Sequence, residues 1–369
     1  MFICVCLWPF CFLALSLAAL AQAPPGVVID HEPAASGRYI GSPSIAVLPN
    51  GTYVASHDFF GPNSGETTSG ITRIFVSKDK GRTWQQTAEL HDQFWSTLFV
   101  HHRQLYLIGT SAEYGRIVIR RGSDSAATWS DPSFLTAESG YHTAPVPIVE
   151  KNRRLWRAFE FHPTGPWGHF EAFMLSAPEM SDLLNPKSWK MTERLTFPPN
   201  LSEGQTWLEG NAVLAPDGFV YDILRVHNLE SSATIRVLND ERLQFEGLSN
   251  FPGGAKKFTI RYDPQTKLYW TLSNPAPTDN PTSATDPASV RNVLALLSSP
   301  DLTNWHTEHI VLTHPDPIHF AFQYIDWQFA GPDIIFVSRT AWDAARAHDA
   351  NFLTFHRLQD FRLHKTEDQ

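Results

Sequence analysis

The sequence predicts an all-β chain folded as a six-bladed β-propeller of four-stranded antiparallel blades, and three observations carry that expectation. A unit of about 45–60 residues returns along the chain, near the period expected when four short strands build one blade. Within each unit, β-branched and aromatic residues alternate between Gly, Pro, Asn and Asp turns, with little helical periodicity. Each unit also has the same two halves, a hairpin followed by a strand that runs into a turn.

The units follow in order. The first holds PSIAVLPNGTYVASHD, in which Asn50-Gly51 supplies the left-handed turn of a tight hairpin, and then RIFVSKDKGRTW. LFVHHRQLYLIGT and RIVIRRGSDSAATW make the second; VPIVEKNRRLWRAFE and FEAFMLSAPEMSDLLNPKSW make the third. NAVLAPDGFVYDILRV and ATIRVLNDERLQF form the fourth, FTIRYDPQTKLYWTLS and NVLALLSSPDLTNW the fifth, YIDWQFAGPDIIFVSRTAW and FLTFHRLQDF the sixth. GVVID, ahead of the first unit, has no partner of its own. It is expected to add a strand to the sixth blade, closing the ring and removing a free edge. TDNPTSATDPAS, before Arg291, is polar and Pro-rich and reads as surface loop. No linker divides residues 22–369, which read as one domain.

Charge and leader narrow the function. With 29 Lys and Arg against 38 Asp and Glu, the formal charge of -9 offers no basic field, so nucleic acid is not an expected partner. The opening MFICVCLWPFCFLALSLAALAQAPP is apolar, too short for a membrane span, and ends on Ala19-Leu20-Ala21. Residues 1–21 therefore read as an export signal, although no Lys or Arg precedes the apolar run. A secreted protein, extracellular or periplasmic and free of the membrane after cleavage, is expected. Cys4, Cys6 and Cys11 all fall inside the signal, which leaves the remainder without thiol chemistry. HPDPIHF carries His314, Asp316 and His319, yet Pro315 and Pro317 break any regular ligand geometry. Neither metal nor cofactor is expected, and the chain is expected to act as a monomer.

SKDKGRTW, Ser77 to Trp84, is a construction element. Ser77 and Asp79 are placed to bond turn amides, Gly81 to take a positive φ, and Trp84 to return against the next sheet. GSDSAATW keeps Asp124, Thr128 and Trp129 with Ala126 in the glycine position, and SSPDLTNW is looser. This S-x-D-x-G-x-T-W pattern is the Asp box, and over nearly all of residues 22–369 the chain resembles the sialidase-like, Asp-box-repeat β-propeller superfamily. Turn chemistry accounts for Asp79, so function has to come from other residues.

The resemblance implies a glycoside hydrolase of exo-α-sialidase type acting on an acidic glycan. In that family three arginines hold a carboxylate, an aspartate is the acid/base, and a tyrosine paired with a glutamate is the nucleophile. The family's opening aromatic-Arg-Ile-Pro run corresponds to YIGSPSI, where Gly41 stands in the arginine's position. Asp58 in YVASHD falls at the acid/base position, Glu209 and Arg225 in WLEGNAVLAPDGFVYDILRV at the glutamate and second arginine, Arg291 at the third, and Tyr324 at the nucleophile. The chemistry is coherent: a phenol of pKa about 10 needs a base such as Glu209, and guanidinium groups bind carboxylate through charge-assisted bonds.

Two other readings stay open on the residues. His57 beside Asp58, and His142 in the loop YHTAPVP, would with Tyr324 suit a lyase that removes the proton next to a uronate carboxylate. A carbohydrate-binding propeller without catalysis is the third. Asn211 and Lys257, the latter in FPGGAKKFTIR, complete the substrate-binding candidates. AHDANFLTFHR offers His348, Asp349 and Asn351 to the axial site or to ring closure, while Trp95, Trp167, Trp207 and Trp327 suit packing or sugar stacking.

Overall fold

The computed structural model describes residues 23–162, 167–201, 206–276 and 286–363, so the expected export signal lies outside the described residues. Its strands form six antiparallel sheets, one for each sequence unit. The strand β1 (Val27–His31) comes first and belongs to the last sheet. The first blade contains β2 (Tyr39–Ile40), β3 (Ser44–Val47), β4 (Tyr53–Phe60), β5 (Ile71–Ser77) and β6 (Gln85–His91). The second has β7 (Phe94–His101), β8 (Gln104–Thr110), β9 (Ile117–Gly122) and β10 (Ser133–Phe134). The third has β11 (Tyr141–His142), β12 (Ile148–Lys151), β13 (Arg154–Phe161), β14 (Glu171–Pro178), β15 (Lys190–Met191) and β16 (Leu195–Thr196). In the fourth are β17 (Trp207–Leu214), β18 (Val220–Val226), β19 (Ser231–Val237) and β20 (Leu243–Asn250). The fifth holds β21 (Thr259–Asp263), β22 (Leu268–Ser273), β23 (Val293–Ser299) and β24 (His306–Thr313). The sixth is β25 (Ala321–Ala330), β26 (Asp333–Ala341) and β27 (Phe352–Leu358), with β1 antiparallel to β27 as its outer strand. GVVID thus closes the ring as its lack of a local partner predicts, and the edge of β27 is covered.

Apolar side chains fill the wedges between blades. Trp207 is fully buried among Trp156, Phe170 and Leu224, and Trp327 among Trp270, Phe322 and Phe336. Each indole also bonds a neighbouring blade, Trp207 to the Phe170 carbonyl at 3.0 Å and Trp327 to the Thr259 carbonyl at 2.9 Å. Truncating either to Ala would cost about 3–5 kcal/mol.

Towards the axis, buried polar side chains take over the joints. The Ser44 hydroxyl donates to Asp326 at 2.7 Å and accepts from the Leu98 amide at 2.9 Å, tying the first blade to the sixth and second. Arg157 reaches Thr97 at 2.9 Å, Glu160 accepts from the Gly210 amide at 2.9 Å, and Thr259 donates to the Ile325 carbonyl at 3.0 Å. Inner strands carry unpaired amides at the hub, and a buried donor there has to find an acceptor.

At the rim, the Asp boxes behave as turn chemistry requires. Asp79 accepts from the Ser77 hydroxyl at 2.8 Å and from Thr83 through both its amide, at 2.9 Å, and its hydroxyl, at 2.6 Å. Gly81 has a φ of 90°, and a Cβ there would stand 2.2 Å from the Phe355 ring. Asp79 is a construction residue.

Candidate active site

The inner strands differ by blade, and the difference builds the site. In β7, β17 and β25 the ladder slips at one equivalent point, between Phe94 and Thr97, Leu208 and Asn211, and Gln323 and Asp326. Trp95, Glu209 and Tyr324 occupy the slips, with φ of 46°, 57° and 55°. A bulge breaks the in/out alternation and re-aims a side chain. All three side chains line one cavity of ≈ 690 Å³. The first and third blades break the inner strand instead, between β2 and β3 and between β11 and β12, which brings Gly41, Ser42 and His142 to the same wall.

The Tyr324 hydroxyl donates to Glu209 Oε1 at 2.9 Å. Glu209 Oε2 lies 3.0 Å from Arg225 Nε, an ion pair whose angle is too poor for a hydrogen bond. Burial raises the Tyr324 pKa, the Glu209 charge adds to the rise, and Arg225, Arg291 and Arg339 oppose it. The phenol is neutral at rest, with its carboxylate acceptor already in hydrogen-bond contact.

Asp58, at the end of β4, is 1% exposed. Its carboxylate accepts from the Ser42 amide at 2.6 Å and the Trp95 amide at 2.5 Å. Burial pushes its pKa up to about 6, against the pull of those donors, His57 and Arg339. A carboxyl so tuned can donate a proton near neutrality. Gly41 explains itself here, because a Cβ at that position would stand 1.7 Å from Asp58 Oδ1. No side chain fits at residue 41 while Asp58 stays where it is.

Three guanidinium groups face these acids. Arg225 Nε and Nη1 have no hydrogen-bond partner among the described residues. Arg291 donates through Nε to the Ala288 carbonyl at 2.9 Å and through Nη1 to Gln323 Oε1. Its loop, read as plain surface, lies outside the described residues at 277–285, but Asp286, Ala288 and Ser289 line the cavity. Arg339, on β26, was not singled out by the sequence; its guanidinium sits 4.8 Å from the Tyr324 ring centroid and 4.2 Å from that of Phe60. Glu66, Glu113 and Tyr114 also line the wall unpredicted, beside Trp95, which the sequence offered for packing or sugar stacking. Aligning FWST, LEGN and QYID would have put Trp95 at the position of Glu209 and Tyr324.

The other candidates divide. His142 lines the cavity, its Nδ1 2.8 Å from Glu160 Oε2 and its ring 4.5 Å from that of Trp95. His57 does not line it: the ring is fully buried beside Phe59 and Phe75, with Nε2 2.9 Å from Asp30 and Nδ1 2.8 Å from the Asp58 carbonyl. Asn211 and Lys257 are likewise spent at hub joints. Asn211 accepts from the Ile260 amide at 3.0 Å and donates to the Phe258 carbonyl at 3.2 Å. Lys257 donates to Thr259 Oγ1 at 2.7 Å and the Ile325 carbonyl at 2.6 Å, burial lowering its pKa to about 8. His348 lines the cavity, whereas Asp349 and Asn351 brace its loop through Arg346 and Trp342. Trp95 and Trp167 are at the cavity; Trp207 and Trp327 pack the wedges. Among the described residues no group of three His, Cys, Asp or Glu side chains is placed to hold a metal ion.

No family model and no curated protein matches the chain. Solved structures do. A Trypanosoma rangeli sialidase in complex with sialic acid aligns at 14% identity over 93% of this chain and 59% of its own, with a TM-score of 0.63. The intramolecular trans-sialidase of Ruminococcus gnavus in complex with oseltamivir carboxylate aligns at 12% identity over 92% and 98%, TM-score 0.62. An alpha-L-arabinanase of Penicillium chrysogenum, complexed with arabinobiose, aligns at 12% identity over 91% and 98%, TM-score 0.58. Ring, blade count and strand order together establish that this chain has the sialidase-like six-bladed β-propeller fold.

Proposed function

We propose that the protein is an exported glycoside hydrolase of exo-α-sialidase type that removes a terminal sugar acid from an acidic glycan. The Tyr324–Glu209 hydrogen bond of 2.9 Å, in a cavity shared with Asp58, Arg225 and Arg291, carries this reading. Arg225 and Arg291 take the substrate carboxylate through charge-assisted bonds. Glu209 accepts the phenolic proton as Tyr324 attacks the anomeric carbon, and Asp58 gives its proton to the departing glycosidic oxygen. The resulting aspartate then takes a proton from water, whose oxygen displaces the tyrosine, and Glu209 returns its proton to the phenolate. Two displacements at one carbon retain its configuration.

Tyr324→Phe is the decisive test, on a nitrophenyl glycoside of a sugar acid. The expected result is a loss of kcat/KM of ~10³-fold or more with unchanged thermal unfolding. A variant that cleaves as fast as the parent removes Tyr324 from the chemistry. A second reading, elimination from a uronate, draws support from His142, held by the buried Glu160 on the cavity wall. Its product would carry a new double bond absorbing in the near ultraviolet, and a His142-dependent rise in that absorbance would replace the hydrolase reading.

A further inference from the structure

The lost first-blade arginine leaves a question of charge that the sixth blade answers. In the fourth blade Arg225 pairs across the ladder with Leu208, the residue just before the bulge at Glu209. In the sixth, Arg339 pairs with Gln323, just before the bulge at Tyr324. The two arginines hold the same position in their blades. Both are buried, at 5% and 4% exposure, and both line the cavity.

Neither guanidinium is satisfied by the protein. Arg339 spends Nη2 on the His348 carbonyl, and its buried Nε has no hydrogen-bond partner among the described residues; the same holds for Arg225 Nη1 and for Arg225 Nε, whose ion pair with Glu209 is off-angle. A buried donor left unpaired costs free energy, and a charged one costs more, so such groups mark a place where an anion is to be received. Burial lowers the Arg339 pKa to about 10, which leaves the side chain charged at neutral pH. The Phe60 and Tyr324 rings both hold the guanidinium by cation–π contact. Asp58, Glu66 and Glu113 from the first two blades line the same cavity, and Asp58 and Glu66 lie within electrostatic reach of Arg339.

Resting on the hydrolase reading above, we propose that Arg339 is the third carboxylate-binding arginine of this site, supplied by the sixth blade because Asp58 leaves no room for a side chain at Gly41. The ligand class is a monosaccharide acid whose carboxylate lies against the wall made by Arg225, Arg291 and Arg339. Glu66 and Glu113 line the same cavity, which suits hydroxyl or amide donors on the rest of the sugar and disfavours a second acidic group.

The test compares a nitrophenyl glycoside of a sugar acid with its methyl ester, alongside calorimetric binding of the free sugar acid and its ester. Arg339→Met is expected to lower kcat/KM and affinity for the acid ~30–100-fold while leaving the ester within about threefold, and Arg339→Lys to restore part of the difference. Arg339→Gln, closer in shape, replaces the Met variant should its thermal unfolding show loss of fold. Equal losses on acid and ester, or no loss on either, overturn the proposal while the hydrolase reading stands. A parent protein that binds and cleaves acid and ester alike overturns both.

Discussion

Rim and hub of this ring use the same backbone device to opposite ends. At the rim, Gly81, Ala126 and Leu302 adopt φ of 90°, 54° and 72°. Each then accepts at its carbonyl the indole N–H of the tryptophan three residues on, at 3.2, 3.1 and 3.1 Å. The turn closes on itself. At the hub, Trp95, Glu209 and Tyr324 adopt φ of 46°, 57° and 55°, and their side chains face a cavity whose arginines keep unpaired donors. Left-handed backbone costs a non-glycine residue about 1–3 kcal/mol in either place. Where the local turn repays that cost the motif is architecture; where the bulge turns its side chain into the cavity, the motif is an opening for a ligand.

Three experiments probe that contrast. The largest effect is expected at Gly41→Ala, because the added methyl displaces the Asp58 carboxylate. A misplacement of about 1 Å in such a group costs ~100-fold in kcat/KM, and crowding this buried contact lowers stability by about 1–3 kcal/mol. Parental activity in this variant would mean that Asp58 works from another position. Next is pH. Asp58, raised to about 6, is protonated below that value, so kcat/KM for an alkyl glycoside should fall about tenfold per unit above it. The same shift makes the folded state hold a proton that the unfolded chain releases, so this group's contribution to stability declines as pH rises from about 4 to 6. A rate profile level to pH 8 would remove Asp58 from the acid role. The smallest effect belongs to the rim: Ala126→Gly relieves a left-handed alanine and should stabilise the protein by about 1 kcal/mol without touching activity. A lower unfolding temperature would show that the buried methyl matters more than the backbone.

Legibility followed the same division. Blades, ring closure and Asp boxes are written in local turn chemistry and strand alternation, which act over a few residues. Glu209 and Tyr324, far apart in sequence, were found through the resemblance to the sialidase-like pattern. His57, Asn211 and Lys257 misled because every inner strand needs polar groups for its joints, and a one-residue slip decides which group turns to the cavity. Arg339 was hidden for a related reason: its equivalence to Arg225 exists only in the ladder register, not in SRTAW as text. The vacancy at Gly41 was visible, but its cause lies in an oxygen of Asp58 that packing brings there.

The seam between Val27–His31 and Phe352–Leu358 sets an order on assembly. In chain order Val27–His31 comes before the strands of the other five blades and residues 321–358 after them, so until those blades are made the sheet bearing the phenol consists of its outer strand alone. Any carrier that keeps the nascent polypeptide extended until both halves are free spares it a gaping ring with a sticky margin. Fusions that burden Val27–His31 would delay maturation of the hub far more than equal burdens at the rim.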